Sequence, residues 1–137
     1  MAWIDPCNLL RAADPQRLIA HAPALTHSQW LQQSLTLAAF LHGAGTRRAV
    51  LWFSDAAELA GALFACWRAG VVAALPGDLQ QARRVGLDEH ADLWLSDAPL
   101  PAMSVPQHQV AALREHFTGA PLPPAPLDPD FAGVQLL

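Results

Sequence analysis

The histidines come first, because an imidazole changes charge near neutral pH and also ligates metals. There are six: His21, His27, His42, His90, His108 and His116. No two stand as H-x-x-x-H or H-E-x-x-H, the spacing that puts two imidazoles on one helix face. His108 and His116 are further apart, with Glu115 beside the second, and fit solvated helix positions better than a metal pair. Asp88, Glu89 and His90 read as a polar turn ahead of a strand. Serines are available for a Ser–His–Asp set, but no G-x-S-x-G elbow presents one. The chain has no lysine, and its eight basic residues are scattered arginines. Schiff-base chemistry is therefore excluded, as is a lysine holding a phosphate or an adenylate. Arg83 and Arg84 could meet a phosphate, but such a pair more often forms a solvated helix face. Cys7 and Cys66 lie far apart, and neither a disulfide nor a thiolate metal site is expected. Cys66 falls on the apolar part of a predicted helix, as a small buried hydrophobe does. The five tryptophans fall on predicted core faces or near the N-terminus, where packing explains most of them.

The other place to look is the junction of a buried strand with a helix, where α/β proteins usually bind phosphate. Here it reads WFSDAAEL over residues 52–59. It contains neither G-x-G-x-x-G nor G-x-x-x-x-G-K-[ST]. An aspartate at the helix start repels phosphate, and an ordinary helix cap is the better reading. No catalytic, cofactor-binding or metal-ligating residue is therefore expected in this chain.

The elements that would carry a site are clear. Residues 47–97 run strand, helix, strand, short helix, strand with little connecting sequence. Residues 49–53 and 71–75 are unbroken apolar runs, as in parallel strands covered on both faces. Ser54-Asp55 caps a helix whose Leu59, Leu63 and Trp67 form one apolar row, and Gly70 ends it. Residues 79–86 form a short helix, and a third strand covers 93–95, extending to about Asp97. Upstream, Thr26 and Gln29 make a capping box, and Leu25 and Trp30 a hydrophobic staple, for a helix over 27–42. Residues 1–24 are irregular, with a short helix around 8–13. Residues 98–106 are a proline-rich connection with a brief edge strand over 103–105. A helix follows over 109–117. Residues 119–129 hold five prolines and form an extended linker. The apolar stretch 133–137 begins a further strand. The domain reading is an irregular segment over 1–24, an α/β subdomain over 25–118, a linker over 119–130 and the start of a strand over 131–137.

Composition agrees with a single α/β unit. The 137 residues are 53% hydrophobic and 15% charged, enough to bury a core. A net charge of −4 argues against a nucleic-acid partner. Neither a signal-peptide pattern nor an apolar run of membrane-spanning length occurs, so a soluble, cytoplasmic protein is expected.

The order of segments resembles the opening of the adenylate-forming (AMP-binding) enzymes: acyl- and aryl-CoA synthetases, adenylation domains of peptide synthetases, and luciferases. The matching runs are LTHSQWLQQSLTLAAFLHGAG, RRAVLWFSDAAELAGALFACWRAGVVAALPGDL and ADLWLSD, together spanning residues 25–97. Ala65-Cys66-Trp67-Arg68-Ala69-Gly70 stands where the family has A-c-x-x-A-G. Residues 128–137 more faintly resemble the strand before the family's glycine-rich phosphate loop. These residues set the fold and catalyse nothing.

The resemblance implies a Rossmann-like βαβαβ layer with mainly parallel strands and helices on both faces, an incomplete part of the large N-terminal domain. It implies a parent enzyme that uses ATP and Mg2+ to activate a carboxylic acid as an acyl-adenylate. The acyl group would then pass to CoA or carrier-protein phosphopantetheine. The fragment alone binds no cofactor and is expected to be inactive, its main partner being the remainder of its own polypeptide. No family catalytic residue can be carried onto this sequence. Two positions depart from the family pattern. His27 replaces an aromatic, and Leu75-Pro76-Gly77-Asp78 places an acid where several members carry a basic residue near CoA, which puts free CoA in doubt. The alternative from another class is a stand-alone Rossmann-like protein-interaction module; a weaker one is a small α/β enzyme with its own pocket. An apolar terminal strand also predicts homodimerisation through an exposed edge.

Overall fold

A computed structural model describes residues 18–21, 24–84, 86–128, 130–131 and 133–136. The helix expected around 8–13, Trp3 and Cys7 lie outside the described residues.

The chain enters through two short antiparallel strands, β1 (Leu18–His21) and β2 (Ala24–Thr26), where the sequence predicts irregular backbone. Strands this short show no period-2 pattern, and the flanking prolines and small residues read as turn. Thr26 then caps α1 (His27–Gly43): both halves of the capping box with Gln29 are formed.

Five parallel strands follow in the order β6-β5-β3-β4-β7. They are β3 (Arg48–Trp52), β4 (Val72–Leu75), β5 (Leu93–Ser96), β6 (Gln107–Gln109) and β7 (Val134–Leu136). Between β3 and β4 runs α2 (Ala56–Ala69), started by Asp55 and stopped by Gly70 in the left-handed conformation, φ 72°. The expected helix over 79–86 is divided. Helix α3 (Leu79–Arg84) ends, Gly86 turns at φ 69°, and a single turn α4 (Leu87–His90) takes in the polar Asp88-Glu89-His90 stretch. Helix α5 (Val110–His116) directly follows β6.

Alternation along the central strands assigns residues to two buried faces. Ala49, Leu51, Ala73, Leu93 and Leu95 pack with Ala38 and Leu41 of α1 and with Ala62, Ala65 and Cys66 of α2. Val50, Ala74 and Trp94 pack the other way, with Ala82 of α3 and Leu87 of α4. Both faces are covered, which is why these runs are apolar without a break.

The edge strand expected at 103–105 lies instead at Gln107–Gln109. Met103 and Val105 are loop residues packed on the α3–α4 face, and the strand itself, which among the described residues pairs with β5 alone, is polar. The proline-rich stretch is docked on the helices. Leu122 N–H donates to Leu35 O (3.1 Å), Arg68 donates from Nε and Nη2 to Pro123 O (3.0 and 2.9 Å), and Leu127 is buried beside Trp30.

Candidate functional site at the carboxyl end of the sheet

In an open parallel sheet, ligands favour the crevice at the carboxyl ends of two strands whose connections leave in opposite directions. Here that crevice lies between β3 and β5: β4 sits on one side of β3 and β5 on the other. The sequence places the turn 53–55 there, and the strand-following residue Asp97 beside it.

Two carboxylates fill the place. Asp97 Oδ2 accepts from Ser54 N (3.0 Å), Ser54 Oγ (3.2 Å) and Asp55 N (2.9 Å). Asp55 Oδ1 accepts from Ala57 N (2.8 Å) and Glu58 N (3.1 Å). The N–H groups that would greet a phosphate are thus already bound to negative side chains. ATP phosphates do not fit this arrangement, and no lysine is available to hold them.

The amino end of β5 repeats the device. Asp92 Oδ2 accepts from Arg47 N (2.7 Å) and Arg48 N (3.0 Å). Those two backbone N–H groups, Arg47 first, hold the Asp92 carboxyl below its ordinary pKa. An aspartate at each end of β5 therefore ties it to the two ends of β3. The pattern D-LWLS-D, a carboxylate immediately flanking each end of a buried strand, is the sequence signal for this clamp.

Among the described residues no three histidines converge. His108 and His116 line one open hollow of about 480 Å³ beside β6, together with Leu100, Gln107 and Gln109. Glu115 is not among its walls. The His108 ring stands edge-on to Phe40, centroids 5.1 Å apart, and burial lowers its pKa. His27 lies against Trp30, and His90 Nδ1 is 2.6 Å from Gly86 O. The side chains of His21, Arg83 and Arg84 lie outside the described ones. Among the described residues no group of three or more potential metal ligands occurs. Cys66 is buried and its thiol is pushed up to about 12 by desolvation, so it is inert.

A different surface stands open. Leu63, Phe64 and Trp67 of α2 face Phe131, Gly133 and Val134 across a groove of about 210 Å³. Val134 and Leu136 on β7 are 58% and 75% exposed.

No family model and no curated protein matches the sequence. Solved structures do. o-Succinylbenzoate CoA synthetase (MenE) from Bacillus subtilis, in complex with the acyl-adenylate intermediate OSB-AMP, superposes with a TM-score of 0.64 at 19% identity, over 89% of this chain and 34% of its own. VinN in complex with L-aspartate gives 0.62 at 22%, over 81% and 33%. McyG A-PCP complexed with phenylalanyl-adenylate gives 0.64 at 18%, over 82% and 24%. The chain has the α/β fold of part of the N-terminal domain of adenylate-forming enzymes. It spans about a third or less of the length of these structures. The described residues form a five-stranded parallel sheet with its covering helices, and the turn at the carboxyl end of β3 is closed by Asp55 and Asp97.

Proposed function

We propose that this chain is the N-terminal part of an ATP-dependent carboxylic acid:AMP ligase, with a scaffolding role. The observation that carries the reading is the fold likeness over most of the chain to enzymes caught with acyl-adenylates. In the parent reaction a carboxylate oxygen would attack the α-phosphorus of ATP, forming the acyl-adenylate and releasing pyrophosphate. A thiol would then attack the acyl carbon and release AMP. ATP and Mg2+ belong to the parent enzyme; no residue of this chain is assigned to either, because the turn after β3 is closed by carboxylates. The partners are the remainder of the polypeptide, a carboxylic acid, and CoA or a carrier-protein phosphopantetheine. Exposed Asp78, at the turn after β4, favours the carrier-bound thiol over the polyanionic CoA. No described helix is long and apolar enough to cross a membrane; the cytoplasmic setting is part of the proposal.

Pyrophosphate release from ATP with a panel of carboxylic acids tests this reading. The 137-residue chain is expected to release none, and the product of the complete reading frame to turn over at least one acid. Turnover by the chain alone would overturn the scaffolding role. A reading frame that stops at Leu137 would favour a stand-alone interaction module, with the groove between α2 and β7 as its binding surface.

A further inference from the structure

We propose that a single water molecule is bound between α1 and α2, held by the indole N–H of Trp30 and the hydroxyl of Ser34 over Gly61. Gly61 sits inside α2, where alanine is the better helix former, so the seam itself must favour the missing side chain. A Cβ built on Gly61 would lie 3.4 Å from Ser34 Oγ and 3.4 Å from Trp30 Nε1. Two polar atoms from α1 therefore converge on one spot above the glycine. Trp30 is 6% exposed, and its Nε1 is buried with no hydrogen-bond partner among the described residues. Ser34 is 3% exposed; its hydroxyl donates to Trp30 O at 2.8 Å, which leaves its lone pairs to accept.

A donor and an acceptor on one spot match a molecule that accepts from nitrogen and donates to oxygen. The adjoining hollow measures about 10 Å³, the order of volume that one water needs and less than any larger polar ligand requires. Glu58 lines the same hollow, its carboxylate held by Arg114 (Nη1 to Oε1, 2.8 Å). The inference stands apart from the ligase reading and survives its failure.

Water–protein NOE spectroscopy on the 15N-labelled chain tests it. The Trp30 indole resonance is identified by its disappearance in Trp30→Phe. The expected result is a cross-peak from this N–H to a long-lived water, lost in Gly61→Ala, where a methyl takes the space. Should Gly61→Ala not fold, Ser34→Ala serves instead, and loss or marked weakening of the cross-peak is expected there. Absence of the cross-peak in the wild-type chain, or its full persistence in the folded substituted chain, would overturn the proposal.

Discussion

Strands β5 and β7 belong to one parallel sheet and have similarly apolar sequences, LWLS and VQL, yet they have opposite surroundings. Every residue of β5 is buried. It has a neighbour on each side, helices on each face and an aspartate tying down each end. Among the described residues β7 pairs with β4 alone. Its register sets Val134 beside Ala73 and Leu136 beside Leu75; Val134 lines the groove along Leu63, Phe64 and Trp67, and both apolar side chains are left exposed. Strand composition thus reports a demand for burial, while the place in the sheet decides whether it is met. The centre of this sheet is complete in itself; its β7 edge is the part that calls for another surface.

The strongest way to break the contrast is at Trp94, the largest of the fully buried side chains, at 0% exposure. Trp94→Ala leaves a cavity under α3 and α4 and is expected to cost about 3–5 kcal/mol, a large share of a typical domain stability of about 5–15 kcal/mol. Urea unfolding followed by fluorescence measures it; a loss under about 1 kcal/mol would show that this face is not a packed core.

Next comes the clamp. Asp97→Ala removes a carboxylate that accepts three hydrogen bonds from the turn between β3 and α2. Bonds to a charged group contribute more than neutral ones, and partial exposure offsets some of that. The expected loss is about 2 kcal/mol, seen as a lower denaturant midpoint with an unchanged slope.

The clamp at the other end of β5 adds a pH dependence. The folded-state pKa of Asp92 lies below that of an unfolded aspartate, first through the Arg47 N–H and then the Arg48 N–H. Its contribution is therefore present at neutral pH, above the unfolded value of about 3.9, and is lost as pH falls through the folded value. Thermal unfolding from pH 6 down to pH 3 is expected to show a falling midpoint, with part of the slope removed in Asp92→Asn. An unaltered slope in that variant would place the acid sensitivity elsewhere. The group is mostly exposed, so the effect is smaller than at Asp97 and weakens with salt.

How legible these regions were follows from the range of the forces. Thr26 with Gln29, Asp55 and Gly70 act within one helical turn, so their sequence neighbours were enough to place both helix ends. The buried strands were legible because burial on both faces removes polar residues from the run. The polar strand Gln107–Gln109 gave no such sign, since it is held mainly by backbone pairing with β5 rather than by burial on both faces. The clamps join residues more than forty apart in sequence, and the docking of the proline-rich stretch rests on Arg68 and Trp67 reaching backbone carbonyls over fifty residues away. Such pairings are set only once the sheet order exists. For the site, local reading sufficed for the conclusion that the strand-to-helix turn is an acidic cap, and it missed that Asp97 doubles the seal.

The smallest effect on stability is expected at β7, where the contrast can be sharpened instead. Leu136→Lys replaces a side chain that is 75% exposed, and the change in unfolding free energy is expected to stay within about 0.5 kcal/mol. Its effect belongs to association. An open strand edge with apolar neighbours pairs readily with another edge, and a lysine there opposes that pairing by charge and hydration. Sedimentation equilibrium of the 137-residue chain is expected to show a dimer that Leu136→Lys and Val134→Lys together convert to monomer. A wild-type chain that sediments as a clean monomer at high concentration would mean that the exposed edge does not pair with itself. The apolar groove beside β7 would then be specific to a surface of different shape.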